Sequence, residues 1–254
     1  MGRKEQLRRG TQQTKHRHSH NLDQSNKLQT SIDDLLKLTS QPSQQNVMKE
    51  FETAKELLVL IDDIVNLEKC VDENYSVGND ARCNSATLDG FVTWLKSNGA
   101  KLDGVTISSY SEFDLGLQAD VNIGETSLMI AVPRKLMLTL DVAKQSLLAP
   151  LISKDAILQN MPNVCLALFL LFEKFKDGSF WKPYLDILPR SYATVLSFNI
   201  DELSALIASP TLKPALSQIK SIARQYAYFY KFIRLVDDPA CKILRKRFTY
   251  KEYR

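Results

Sequence analysis

Apolar residues recur at helical spacing near the start of the chain. Ile32, Leu35 and Leu36 predict an amphipathic helix within residues 21–39, before a polar linker at residues 40–45. A second helical pattern runs from Met48 to Ile64. We expect this second helix to pack on the domain that follows it. A coiled coil that binds a partner is the alternative.

The pattern changes to alternation after Gly99. Residues 89–98 read as a short helix with Phe91 and Trp94 on one face, and Gly99 suits its left-handed end. Gly124 predicts a hairpin turn that joins the second and third of the strands that follow. The alternating segments that predict these strands are Val105–Ser109, Leu115–Ala119 and Leu128–Val132.

The chain after residue 138 is dominated by helical patterns. Thr139 is expected to cap a helix that continues to Ala149. A further helical stretch covers residues 154–172, and Pro162 within it predicts a kink or a new start.

Asn199 and Glu202 have the spacing of a capping box before a short helix. The longest helix is predicted over Leu212–Val236, where Asp237-Asp238-Pro239 ends it. Its aromatic residues fall at helical spacing, which favours a place in the core over a role in ligand binding.

Positive charge is concentrated at the N-terminus. The 254 residues carry a net charge of only +4, and the first twenty are basic without apolar periodicity. The chain is therefore divided into a disordered basic tail (1–20), N-terminal helices (21–70), a β-rich part (71–138) and a helical part (139–254). Nucleic-acid binding is not expected of the whole chain, and a nuclear or RNA-binding role of the tail is the alternative.

The histidines and cysteines argue against several kinds of site. His16, His18 and His20 are the three histidines, and all lie in the tail. A Ser-His-Asp triad, a Cys-His pair or a usual zinc site is therefore not expected in the rest of the chain. The four cysteines are scattered and form no CxxC pair, which fits a cytosolic or nuclear protein.

Membrane insertion and export are not expected either. The longest apolar run, residues 164–172, is much shorter than the roughly 20 residues that span a bilayer. The N-terminus also lacks the apolar segment of a signal peptide.

Six sequence strings follow one another at characteristic spacing. In this order, from about residue 85 to residue 254, the chain resembles the N-terminal part of SET-domain methyltransferases of the actin-histidine type, relatives of the Rubisco large-subunit methyltransferase. The resemblance implies an α+β fold: a partial SET β-module with an inserted helical subdomain, preceded by N-terminal helices and the tail. The strings are Trp94–Ala100, Val132–Leu136, Ala143–Pro150, Phe180–Tyr184, Ala223–Lys231 and Phe248–Arg254.

The resemblance also implies an activity. It makes the chain part of a protein-histidine N-methyltransferase that transfers a methyl group from S-adenosylmethionine to a histidine of actin. Cofactor and substrate would enter from opposite faces and meet in a narrow channel, where positioning and desolvation of the sulfonium promote transfer. A lysine acceptor is left open. Actin is the expected partner and the cytoplasm the expected location.

The family's cofactor contacts map onto two segments. One is the loop before the Trp94 helix, where Arg82 is the candidate. In the other, a glycine of the family's Glu-Gly-Phe-Gly-Leu turn is replaced by Asp114, which is expected to tolerate an unusual backbone dihedral. The candidate cofactor-binding residues of this strand turn are Phe113, Asp114, Leu115 and Gly116.

Arg224 is the candidate for substrate binding. It opens a string that lies along the actin-peptide side of the cleft in the family. A surface arginine of a helix is the alternative. Arg134, which follows a strand, is expected to be structural.

The resemblance assigns no catalytic residue and no metal ligand within this span. Family members continue past the residue matched by Arg254 with an asparagine-histidine cofactor motif, a channel tyrosine and a C-terminal substrate-binding domain. We therefore expect a fragment whose β-module has unpaired edges and an uncovered apolar face. A catalytically inactive fragment that binds actin or another protein is the alternative function.

Overall fold

A computed structural model describes residues 23–71, 84–110, 114–189 and 192–254. Two compact units divide the chain: residues 1–76 join residues 193–254 in the first unit, and residues 77–192 form the second. The boundary predicted at residue 138 falls inside the second unit, and the division into a β-rich and a helical domain remains a prediction. The tail, Arg82 and Phe113 lie outside the described residues.

The described elements are mainly helices. In chain order they are α1 (23–40), α2 (Val47–Val71), α3 (Ser85–Ser97), β1 (Lys101–Leu102), β2 (Val105–Tyr110), β3 (Asp114–Ala119), β4 (Ile130–Ala131), a 3-10 turn (Arg134–Leu136), α4 (Leu140–Lys144), α5 (Ala149–Lys154), α6 (Ala156–Asn160), α7 (Pro162–Phe175), α8 (Lys182–Ile187), a 3-10 turn (Val195–Ser197), α9 (Ile200–Ser204), α10 (Leu212–Leu235), α11 (Pro239–Arg245) and α12 (Tyr250–Tyr253).

The core of the first unit forms where α2 packs against α10 and α12. Buried residues of α2 recur at helical spacing, and each fully buried Leu or Ile contributes about 1.5–3 kcal/mol. The long helix predicted over Leu212–Val236 is confirmed to within one residue, and its aromatic residues Tyr226 and Phe229 are buried as expected. The buried stripe of α2 contains Ala54, Leu57, Ile61 and Ile64.

Hydrogen bonds at helix ends stabilise two helices of this unit, α9 and α10. The predicted capping box is confirmed, because Asn199 Oδ1 accepts from Glu202 N at 2.9 Å and Glu202 Oε2 accepts from Asn199 N at 2.8 Å. At the C-terminal end of α10, the Arg245 guanidinium donates through Nε to Ile233 O at 2.7 Å and through Nη2 to Val236 O. Arg245 therefore satisfies carbonyls that the last turn of a helix leaves without partners.

The second unit contains the predicted Trp94 helix and its glycine end. Asn84 Oδ1 accepts from Ala86 N and begins α3 four residues earlier than the sequence pattern indicates. Gly99 follows α3 with a φ of +88°. This left-handed backbone confirms the reason for a glycine there.

The helix predicted from Thr139 to Ala149 is wrong in its extent. Thr139 caps α4 as expected, but α4 ends at Lys144. Ser146 Oγ donates to Ala143 O at 2.7 Å and accepts from Leu148 N at 3.1 Å. This serine turn competes with the helical ladder and separates α4 from α5. Pro162 begins α7, so the predicted new start there is confirmed.

The hairpin predicted across residues 120–125 is wrong. β3 pairs antiparallel with β2, from Val105 opposite Ala119 to Tyr110 opposite Asp114, and β4 pairs with β1. The strands β1 and β2 follow each other along residues 101–110. The next strand, β3, pairs with β2, and β4 then pairs with β1. Residues 121–129 belong to the connection from β3 to β4. Just before β4, Met129 O accepts a hydrogen bond from Asp103 N at 2.9 Å.

The described strands form an incomplete β-module. Each ladder holds two strands, so every described strand has one edge without a neighbouring strand. None of the described side chains between residues 101 and 135 is buried. The predicted unpaired edges and uncovered apolar face are therefore present in this part of the chain. The exposed large apolar side chains between residues 101 and 137 are Tyr110, Leu117, Val121, Ile123, Leu128, Met129, Ile130, Val132 and Met137.

Candidate functional site

The predicted cofactor turn lies at the β2–β3 end of this module. Asp114, Leu115 and Gly116 begin β3, and their backbones pair with Tyr110, Ser109 and Ser108 of β2. Leu115 and Gly116 are half-buried. The structure therefore brings three of the predicted cofactor residues together on one strand.

Gly116 leaves room for an aromatic ring. A Cβ atom at this position would lie 3.0 Å from Cε2 and 3.3 Å from Cδ2 of Tyr110, two contacts that would force the exposed ring to move. The backbone of Gly116 has no positive φ. Space beside the strand, rather than an unusual dihedral, is therefore what this glycine provides.

Asp114 does not take the place of glycine in the way we expected. It belongs to the β2–β3 ladder, where an extended backbone suits any residue. Thr126, with a φ of 68°, is the non-glycine residue with positive φ in the described chain. The unusual dihedral predicted for Asp114 is therefore not needed.

Arg224 lies on α10 in the first unit, with its side chain exposed. Its neighbour Gln225 accepts a hydrogen bond from Tyr253 Oη at 3.1 Å, which fixes this turn of α10 against α12. The guanidinium thus projects from a rigid helical surface and is available to a carboxylate or carbonyl of a bound partner.

The first unit also contains a buried carboxylate that was not among the predicted site residues. Glu68, near the end of α2, is 5% exposed. Its Oε1 accepts from the hydroxyl of Tyr226, and both of its oxygens lie 3.1 Å from Tyr250 N. Glu68 follows Ile61 and Ile64 at spacings of seven and four residues. A carboxylate in the apolar stripe of α2 was the signal that could have identified it.

The environment of Glu68 shifts several pKa values. Burial raises the pKa of Glu68 to about 7, although the hydrogen bonds from Tyr226 and Tyr250 and the charge of Arg234 act in the opposite direction. Burial, together with the charge of Glu68, raises the pKa of Tyr226 well above its usual value. The Arg234 guanidinium lies 3.4 Å from the centroid of the Tyr230 ring, and burial lowers the pKa of Arg234.

A groove in the first unit lies away from these residues. It has a volume of about 590 Å³ and runs between α1 and α2, with Thr30, Asp63 and Cys70 among its lining residues. It includes none of the predicted site residues. Within the four described ranges no group of three or more His, Cys, Asp or Glu side chains is placed to hold a metal ion, and no helix is long and apolar enough to cross a membrane.

Comparison with known proteins identifies relatives over most of the chain. The actin-histidine N-methyltransferase of Xenopus tropicalis is 37% identical over 225 residues, which cover 79% of this chain and 38% of the relative. The human protein of the same name is 38% identical, over 81% of this chain and 34% of its own length. This chain therefore spans about a third of the relatives that it matches. No family model matches the sequence.

Solved structures share the fold. The SET domain of LSMT bound to lysine and AdoHcy superimposes with a TM-score of 0.58 at 24% identity, covering 67% of this chain and 37% of that one. Rubisco LSMT bound to AdoMet gives a TM-score of 0.55 over 66% of this chain and 38% of that one. The α+β arrangement predicted for a partial SET domain is therefore confirmed. From these similarities in sequence and fold, we conclude that the chain is homologous to one part of the actin-histidine N-methyltransferases.

Proposed function

We propose that this chain supplies part of an S-adenosylmethionine-dependent protein-histidine N-methyltransferase that acts on actin. Identity of 37–41% to actin-histidine N-methyltransferases carries this proposal. The SET fold of structures solved with AdoMet or AdoHcy supports the choice of cofactor. Cytoplasmic location and actin binding are parts of the same proposal.

The start of β3 at Leu115 and Gly116 is the proposed cofactor contact. Backbone groups of a strand without a neighbour on one edge can hydrogen-bond a polar ligand, and the missing side chain of Gly116 permits close approach. The ring of Tyr110 beside Gly116 would cover one side of the bound molecule. When bound, the cofactor supplies an electrophilic methyl group; the protein orients it and excludes water.

Isothermal titration of S-adenosylmethionine into the 254-residue chain tests the proposal. Micromolar binding would support a cofactor pocket built by these residues. A folded chain that binds no S-adenosylmethionine would contradict a complete pocket within this span. Circular dichroism establishes the folded state before the titration.

Replacing Gly116 with alanine is expected to weaken S-adenosylmethionine binding about tenfold, equivalent to about 1.4 kcal/mol. The added Cβ atom would lie 3.0 Å from Cε2 of Tyr110 and would displace that ring. Because Tyr110 is exposed, the thermal midpoint should fall little. Gly90→Ala is the matched control, since nothing lies within 4 Å of a Cβ atom at Gly90. Equal affinity of the two variants would contradict a cofactor contact at Gly116.

Replacing Arg224 with alanine is expected to reduce the affinity for actin about tenfold. The exposed side chain can be removed with a change in unfolding free energy of less than about 0.5 kcal/mol. Fluorescence anisotropy with labelled actin measures the affinity. Arg247→Ala removes another exposed arginine of the same unit and should bind like wild type. Equal binding by both variants would favour a plain surface role for Arg224.

A catalytically inactive actin-binding protein is the second candidate function. The replacement of the family's glycine and aromatic residue by Asp114 and Leu115 favours it, because an added carboxylate and a lost ring both alter a cofactor turn. This function predicts actin binding without detectable binding of S-adenosylmethionine. The titration and the anisotropy measurement together separate the two candidates.

A further inference from the structure

Glu68 connects three helices of the first unit. It lies on α2, accepts from the Tyr226 hydroxyl of α10 and from the Tyr250 amide of α12, and is almost completely buried. Glu68 and Tyr250 are separated by 182 residues in sequence, so the contact is a tertiary one. The first turn of α12 is thereby fastened to the last turns of α2.

The charge of Glu68 is poorly compensated. From α10 it is faced by Tyr226, Tyr230 and Arg234, and from α12 by Tyr250. Arg234 is the cation among them, and its own charge is opposed by Arg245 of α11. Asp62 of α2 and Arg254 act on Tyr250 with opposite signs. A buried carboxylate with one shared cation is costly to ionise.

We propose that Glu68 is a proton-dependent latch, which holds α12 firmly against α2 and α10 when its carboxyl group is protonated and less firmly when it is ionised. In the protonated form one oxygen still accepts from Tyr250 N. The carboxyl O–H and the Tyr226 hydroxyl then exchange the roles of donor and acceptor. The latch is independent of the proposed methyltransferase activity.

The direction of the pH dependence follows from linkage. With α12 docked, the pKa of Glu68 is raised to about 7, whereas a carboxyl that has opened to water returns towards its ordinary value of 4.5. The docked state therefore binds the proton more tightly between these values. The stabilisation is complete below the lower pKa and is lost as the pH rises through the upper one.

Amide hydrogen exchange of α12 in the intact chain tests the latch. After correction for intrinsic exchange rates, the opening equilibrium of the α12 amides should rise about tenfold from pH 6 to pH 8 in the wild-type protein. Glu68→Gln should open equally at both pH values. Glu50→Gln should keep the wild-type dependence: burial raises the pKa of Glu50, but hydrogen bonds from Gln44 and Lys220 outweigh this effect and lower it.

Tyr226→Phe tests the latch without removing the carboxylate. The Tyr226 hydroxyl lowers the pKa of Glu68, so its loss should move the midpoint of opening to higher pH. This variant also provides the test if Glu68→Gln does not fold. Equal opening of wild-type α12 at pH 6 and pH 8 would overturn the latch. A pH dependence that persists unchanged in Glu68→Gln, or an unmoved midpoint in Tyr226→Phe, would do the same.

Discussion

Replacing Arg245 with alanine will lower the free energy of unfolding of the first unit by about 3 kcal/mol. The guanidinium donates to Ile233 O at 2.7 Å and to Val236 O at the end of α10. Hydrogen bonds from a charged donor contribute about 1.5–3 kcal/mol each, and a cation also favours the negative end of the helix dipole. Urea unfolding followed by circular dichroism measures the change.

A second variant and a control identify the cause of this loss. Arg245→Lys should lose an intermediate amount, because an ammonium group lacks the planar fork that reaches both carbonyl oxygens. Arg247→Ala removes a nearby exposed arginine and should change the unfolding free energy by less than about 0.5 kcal/mol. If Arg245→Ala unfolds at the same urea concentration as Arg247→Ala, the capping contacts contribute nothing measurable.

Replacing Gly104 with alanine will destabilise the β-module by about 2 kcal/mol. Gly104 has a φ of +68°, a conformation that costs other residues about 1–2 kcal/mol. The new Cβ atom would also lie 2.7 Å from Cγ2 of Val121. Because Gly104 O accepts from Asp120 N at 2.9 Å, its backbone cannot move away without loss of that hydrogen bond. Hydrogen exchange of the β2 and β3 amides measures the local effect.

The two causes at Gly104 can be separated. Adding Val121→Ala to Gly104→Ala removes the steric contact but keeps the strained dihedral, so about half of the stability should return. Gly90→Ala in α3 is the opposite case, since an unobstructed helical glycine gains about 0.5–1 kcal/mol from alanine. If the β2 and β3 amides are protected equally in Gly104→Ala and Gly90→Ala, neither backbone strain nor the contact with Val121 destabilises the module.

Features fixed by neighbouring residues were predictable from the sequence. The bounds of α10, the capping box of Asn199 and Glu202, and the glycine end of α3 all depend on contacts within a few residues. Each of these local contacts can form regardless of how the rest of the chain folds. The family resemblance was equally local, since it depended on short strings in a fixed order.

Strand pairing was not predictable in the same way. The turn-forming residues 120–125 suggested that β3 pairs with the segment containing Ile130, yet β3 pairs with β2. Alternation assigns side chains to faces but does not select the partner strand. The six-pair ladder of β2 and β3 offers more hydrogen bonds than a hairpin whose second strand is reduced to Ile130–Ala131.

The candidate site was predicted in part. Leu115 and Gly116 lie together, but the reason for Gly116 is the Tyr110 ring, which no local pattern indicates. Glu68 was missed because a polar residue on an amphipathic helix is normally exposed. Its position in the apolar stripe marks it as buried, but its partners, Tyr226 and Tyr250, lie more than 150 residues away.

The first unit is discontinuous in sequence, and this has a consequence for its synthesis on the ribosome. Glu50 meets Lys220 across 170 residues, and α12 reaches Glu68 across 182. The helix α2 emerges before α10 and α12, so its apolar stripe stays uncovered on that side until they have been synthesised. Residues 77–192, being contiguous, can collapse in the meantime and shorten the loop that must close. A nascent chain halted before residue 212 should therefore expose α2 to chaperones, whereas release of the whole chain should protect it.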